Sequence, residues 1–262
     1  MPIDPSAYIA PTARVDPGAV IGPRTRVGEF CVVESDVVIG ADCVLEPYVY
    51  VKRWTTLGDR NELSSGCVLG TDPLDKKFTG ERSYLRIGHD NKIREHWTVS
   101  RGTAPESETV IGDGNFIMTS GHIAHNSRVG SHNVIASCVL LAGHVEVENR
   151  VFISGGALVH QFTRIGELAM ISGNVRVNSD VPPYFLYADF NVAAKGLNLV
   201  GLKRAGFTAE QIAALKRAYR LLYRKGLLLE EALRRIETEI ATPEALHLVE
   251  FIRLCRRGIC RE

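Results

Sequence analysis

An aliphatic residue returns at every sixth position from Ile3 through Ile9, Val15, Ile21, Val27, Val33, Ile39, Leu45, Val51, Leu57 and Leu63 to Leu69. The series resumes at Ile87, Ile93 and Val99, then runs unbroken from Ile111 to Val177. Neither a helix nor a two-faced strand has that period. Four places after each ladder residue stands a small or β-branched one, as at Ala7, Ala13, Ala19, Thr25, Cys31, Val37, Cys43 and Val49. Glycine often follows the ladder residue, as at Gly22, Gly28, Gly40, Gly58, Gly88, Gly112, Gly130 and Gly166, and is expected to relieve strain where the backbone bends. The pattern predicts short strands joined by tight turns, three to a triangular coil of roughly 18 residues, stacked in parallel about 4.8 Å apart. About ten coils follow, with the ladder filling the axis.

Residues 71–86 and 103–110 lack the repeat, yet the ladder keeps its phase across both. Each is expected to be a loop protruding from a rigid scaffold, where binding groups tend to sit. After Val181-Pro182-Pro183 the period stops and helical signals begin. Thr208 with Gln211 reads as a capping box before Ile212, Leu215, Ala218, Tyr219 and Leu222, with Gly226 as the stop. A second helix is expected over Glu230 to Ile240. A third opens at Thr242-Pro243-Glu244 and runs towards Gly258. The chain thus divides into a β domain, residues 1–185, and a helical domain, residues 186–262.

Of 262 residues, 45% are hydrophobic and 23% charged, the composition of an ordinary globular protein. A formal charge of +1 gives no global electrostatic reason to bind nucleic acid or an anionic membrane. The first twenty residues carry no signal-peptide pattern, and no apolar run is long enough to span a bilayer, so a soluble cytoplasmic protein is expected. The six cysteines form no CxxC pair. Reduced thiols are expected, with Cys31, Cys43 and Cys67 filling the small-residue slot of the repeat.

Four of the eight histidines, His122, His125, His144 and His160, fall in the second half of the repeat, and none occupies the ladder slot. His125 and His144 lie about one coil apart, which places them on neighbouring coils near one edge. Imidazoles so grouped suit a general base acting on a hydroxyl near neutral pH. They equally suit zinc ligation from stacked coils.

The runs Arg94-Glu95, Arg101-Gly102-Thr103, His122-Ile123-Ala124-His125, Leu141-Ala142-Gly143-His144, Val159-His160-Gln161-Phe162, Val181-Pro182-Pro183-Tyr184 and Gly201-Leu202-Lys203-Arg204-Ala205-Gly206-Phe207 resemble those of the bacterial acyl-(acyl-carrier-protein)–UDP-N-acetylglucosamine O-acyltransferases of lipid A biosynthesis. The resemblance covers essentially the whole chain. It implies a left-handed parallel β-helix followed by a small C-terminal helical domain, assembled as a homotrimer with sites between neighbouring chains. The implied reaction moves a fatty acyl group, which can be 3-hydroxylated, from acyl carrier protein to the 3-hydroxyl of UDP-N-acetylglucosamine. No metal and no cofactor are implied.

The same resemblance makes His125 the general base and gives the oxyanion to the Gly143 N–H. It places His122, His144 and His160 along the acyl and sugar pocket, with Gln161 near the acetamido group. Asp75 and Lys77 would hold the sugar and phosphates, Asn198 and Arg204 the uridine diphosphate, and Gly173 would set acyl chain length. Lys203, Arg204, Lys216, Arg217, Arg220, Arg224 and Lys225 give the helical region a basic side, suited to acidic acyl carrier protein or simply to solvent. Four positions depart from the family pattern. Asn126 replaces a frequent Asp, Val200 a frequent carboxylate, and Ser100 and Asn191 frequent histidines. A hexapeptide N-acyltransferase acting on an amino-sugar nucleotide, a carbonic-anhydrase-like metal-dependent lyase and a non-catalytic scaffold are the alternatives.

Overall fold

The computed structural model describes residues 3–189 and 192–260. Two-residue strands alternate with turns, and each strand pairs in parallel with its counterpart one coil on, as Ile9 with Val27 and Ile21 with Ile39. Three sheets result, of eleven, nine and eight strands, forming the faces of a triangular left-handed β-helix. The chain visits them in that order. Ladder residues from Ile21 to Val177 are buried along the axis, whereas Ile3, Ile9 and Val15 at the open first coil are only partly covered.

Both protruding loops are inserted in phase. A column of buried asparagines, Asn61, Asn91, Asn115 and Asn133, shows the register: the steps are 30, 24 and 18 residues. The loops therefore lengthen their coils by whole multiples of six, so every inward residue still reaches the axis. The side chains of this column hydrogen-bond from coil to coil, as where Asn115 Nδ2 donates to Asn91 Oδ1 at 2.9 Å. That pairing satisfies polar groups sealed from water, except the Asn133 Nδ2 at the end of the column, which has no partner among the described residues.

The glycines after the ladder have a different cause from the one expected. The left-handed turn positions are filled mostly by other residues, such as Arg24, Asp42, Asn126 and His144, at φ near +58°. Gly22 and its counterparts sit instead where successive coils touch: a Cβ on Gly22 would lie 2.5 Å from the carbonyl carbon of Gly40. Close backbone approach, not bending, excludes a side chain there.

At the far end, strand Phe185–Ala188 joins the eleven-stranded sheet and turns back antiparallel as Ala193–Leu197. Four helices follow: α1 Leu199–Arg204, α2 Ala209–Tyr223, α3 Leu229–Glu239 and α4 Pro243–Arg253. The capping box of α2 forms, with Gln211 N donating to Thr208 Oγ1 and Gln211 Oε1 accepting from Thr208 N. The third expected helix stops at Arg253, short of Gly258, because the chain is drawn back to pair with Asp180. Apolar faces of the helices close the end of the axis, where Phe185 packs against Tyr219 and Tyr223. All six cysteines are free; Cys31, Cys43 and Cys67 are buried, and burial pushes the Cys67 thiol up to about 11. Among the described residues no helix is long and apolar enough to cross a membrane.

Candidate active site

The 18-residue coil stacks residues 125, 143 and 161 in one turn slot, and 126, 144 and 162 in the next. This turn is the edge between the nine-stranded and eight-stranded sheets. His125 is buried there, its ring lying over Gly143. A Cβ at 143 would come within 2.4 Å of the imidazole Cε1. Glycine thus makes the seat for the ring, and the Gly143 N–H donates to no acceptor among the described residues. The neighbouring His144 donates its N–H to the His125 carbonyl at 3.0 Å. Its ring meets His125 edge-on at 5.3 Å and stacks on Phe162 at 4.8 Å.

Asn126 fixes the protonation pattern of His125. Its Oδ1 accepts from Thr103 N at 3.1 Å and Thr103 Oγ1 at 2.9 Å. A backbone N–H can only donate, so the amide oxygen faces this way and also meets His125 Nδ1, 3.1 Å off. Nδ1 therefore carries the proton, and Nε2 keeps a free lone pair.

His122 Nδ1 lies 2.7 Å from Thr98 Oγ1, while its Nε2 is buried without a partner among the described residues. Burial holds both His122 and His144 below the usual imidazole range; the charge of His125 adds to this, and Asp75 opposes it at His144. His160 Nδ1 donates to the Gln161 carbonyl at 3.0 Å on the exposed side of the same edge. Asp75 comes to this edge on the first loop, its Oδ1 accepting from Lys77 N at 2.9 Å, with the Lys77 side chain exposed.

The remaining expected residues lie elsewhere on the prism. Asn198 and Arg204 line a cavity of about 490 Å³ over the eleven-stranded sheet, together with His132, Arg150, Leu168 and Val200. That face is opposite the histidine edge. Asn198 caps α1, its Oδ1 accepting from Gly201 N at 3.0 Å and its Nδ2 donating to the Leu168 carbonyl at 2.9 Å. Gly173 is exposed at a third edge, between the eleven-stranded and nine-stranded sheets. One chain thus gathers His122, His125, Gly143, His144, His160, Gln161 and Asp75, and holds Asn198, Arg204 and Gly173 apart from them. His132 and Arg150 escaped the sequence reading. The available signal was their 18-residue spacing, shared with Leu168, in one turn slot. Among the described residues no group of three or more His, Cys, Asp or Glu is placed to hold a metal ion; Asn191 lies outside the described residues.

A parallel β-helix with imidazoles along one edge and a helical cap has the build of a hexapeptide-repeat acyltransferase. Residues 180–260 match the family model described as UDP N-acetylglucosamine O-acyltransferase, domain 2. An acyl-(acyl-carrier-protein)–UDP-N-acetylglucosamine O-acyltransferase from Verminephrobacter eiseniae is 44% identical over 213 residues, 79% of this chain and 81% of the relative. One from Gloeothece citriformis is 40% identical over 204 residues, 78% of this chain and 74% of the relative. The structure of LpxA, a UDP-N-acetylglucosamine acyltransferase from Bacteroides fragilis, superposes with a TM-score of 0.91 at 36% identity, covering 98% of this chain and 99% of that one. LpxA from Acinetobacter baumannii superposes at 0.88 and 34% identity over the whole of both chains. The chain belongs to the acyl-(acyl-carrier-protein)–UDP-N-acetylglucosamine O-acyltransferase family.

Proposed function

We propose that this chain transfers an acyl group from acyl carrier protein to the 3-hydroxyl of UDP-N-acetylglucosamine, the first step of lipid A biosynthesis. Family membership supports the reaction. The observation that carries the mechanism is the seat of His125 over Gly143, with Nδ1 tied to Asn126.

In this mechanism His125 Nε2 takes the proton of the 3-hydroxyl as that oxygen bonds to the thioester carbonyl carbon. The carbonyl electron pair moves onto oxygen, where the unpaired Gly143 N–H donates to it. Collapse breaks the carbon–sulfur bond, and the leaving pantetheine thiolate recovers the proton from His125. Because burial keeps His122 and His144 neutral, they do not repel the transient imidazolium. They line the pocket with His160 and Gln161, while Asp75 and Lys77 engage the sugar and phosphates. An imidazole, one N–H and the thioester suffice, so the reaction needs neither metal nor cofactor.

Asn198 and Arg204 hold the uridine diphosphate, and Gly173 leaves room for the acyl chain. Since these residues face away from the histidine edge of their own chain, the site is completed by a neighbouring copy, in a homotrimer. The coil of residues 1–185 carries the chemistry. In residues 186–262, seven exposed basic side chains from Lys203 to Lys225 offer acyl carrier protein a complementary face. Both substrates are water-soluble, which fits a cytoplasmic enzyme.

The test is mass spectrometry of products from acyl carrier proteins bearing several chains, offered UDP-N-acetylglucosamine and its 3-amino analogue. An alkali-labile ester on the first supports the proposal. An alkali-resistant amide on the second alone rejects it in favour of N-acylation.

A further inference from the structure

Arg101 is an arginine where the fold has little room for a charge. Its side chain is 5% exposed. The guanidinium lies between two aromatic rings, Trp54 on the coil at 5.0 Å and Phe78 on the first loop at 5.2 Å. Nη1 pairs with Asp72 at the root of the loop and donates to the Gly70 carbonyl at 3.3 Å. The Arg101 N–H donates to the Thr71 carbonyl at 3.0 Å, and Ser100 Oγ lies 2.9 Å from Thr71 Oγ1. A buried charge persists only where its partners are well placed. Here those partners are the first end of the loop, the mid-loop ring of Phe78 and one fixed ring of the scaffold, while the buried Nε has no hydrogen-bond partner among the described residues.

The far end of this clamp adjoins the substrate residues. Phe78 follows Lys77 directly, and its N–H donates to the Asp75 carbonyl at 3.0 Å. The Asp75 side chain in turn accepts from Lys77 N. Asp75, Lys77 and Phe78 form one tight turn, and Arg101 grips it by its aromatic member. We infer that Arg101 is a positioning residue, holding the 72–83 loop against the β-helix so that Asp75 and Lys77 stand ready at the histidine edge. This rests on the substrate role proposed above for those two residues. The guanidinium is suited to the task because it presents two flat faces to rings while its rim pairs with a carboxylate. A lysine ammonium carries the charge but neither face.

The test compares wild type with Arg101→Gln, Arg101→Lys and Phe78→Ala, the last opening the clamp from the loop without touching the coil. Limited trypsinolysis at Lys76, Lys77 and Arg82 reads the loop, and steady-state kinetics read its use. In all three variants loop cleavage should accelerate and the KM for UDP-N-acetylglucosamine rise by roughly tenfold, with kcat at saturation little changed. Loop cleavage at the wild-type rate in folded Phe78→Ala overturns the clamp. Faster cleavage with an unchanged KM overturns instead the substrate role of Asp75 and Lys77.

Discussion

His125 and Gly143 occupy the same turn slot on successive coils, and the imidazole fills the space that a side chain at 143 would take. The base and the oxyanion donor are thereby fixed by one 18-residue step. Gly143→Ala should fold, since the clash falls on a side-chain ring rather than on backbone. The displaced ring should lower kcat by about a hundredfold. That loss of turnover with an unchanged melting temperature is the expected pair of results.

Asn126 holds the His125 Nδ1 proton with a neutral oxygen. Asn126→Asp puts a carboxylate there, favouring the imidazolium. The base then needs a higher pH to lose its proton. The acid limb of the kcat/KM profile should move up by roughly one pH unit, and an unmoved limb would contradict the tautomer assignment.

Helix α4 docks on the coil through His247, whose Nε2 lies 3.2 Å from Glu148 and whose Nδ1 lies 2.6 Å from the Tyr184 hydroxyl. The hydrogen bond to Glu148 raises its pKa, helped by the charges of Glu148, Glu167 and Glu250, against the effect of burial. A raised folded value means that the contact stabilises fully below the unfolded imidazole pKa and is lost as pH climbs through the folded one. Glu148→Gln should therefore lower the denaturation midpoint most below about pH 6, and progressively less as pH rises through the raised His247 pKa. A difference constant with pH would refute this.

The ladder from Ile21 to Val177 was legible because its period belongs to no other regular structure, and the loops because they conserve that period. The Thr208 capping box was legible because it is local. Helix α1 was not: six residues capped by Asn198 carry too short a pattern to register. Arg101 stands in the sequence only as part of the run Arg101-Gly102-Thr103, and its burial is not legible there because its two rings come from positions 54 and 78. The asparagine column was hidden by its unequal steps. The glycines misled because the sequence shows where they stand but not what approaches them. Four histidines were recognised by clustering, yet their separation from Asn198 and Arg204 follows only from which face each turn adjoins.

The most direct measurement is the turnover of His125→Ala with UDP-N-acetylglucosamine and acyl carrier protein donors. His125 is off the ladder, so the variant should keep its fold and melting temperature while kcat/KM falls by about a hundredfold to ten-thousandfold. Turnover within a few-fold of wild type would contradict the role of His125 as base.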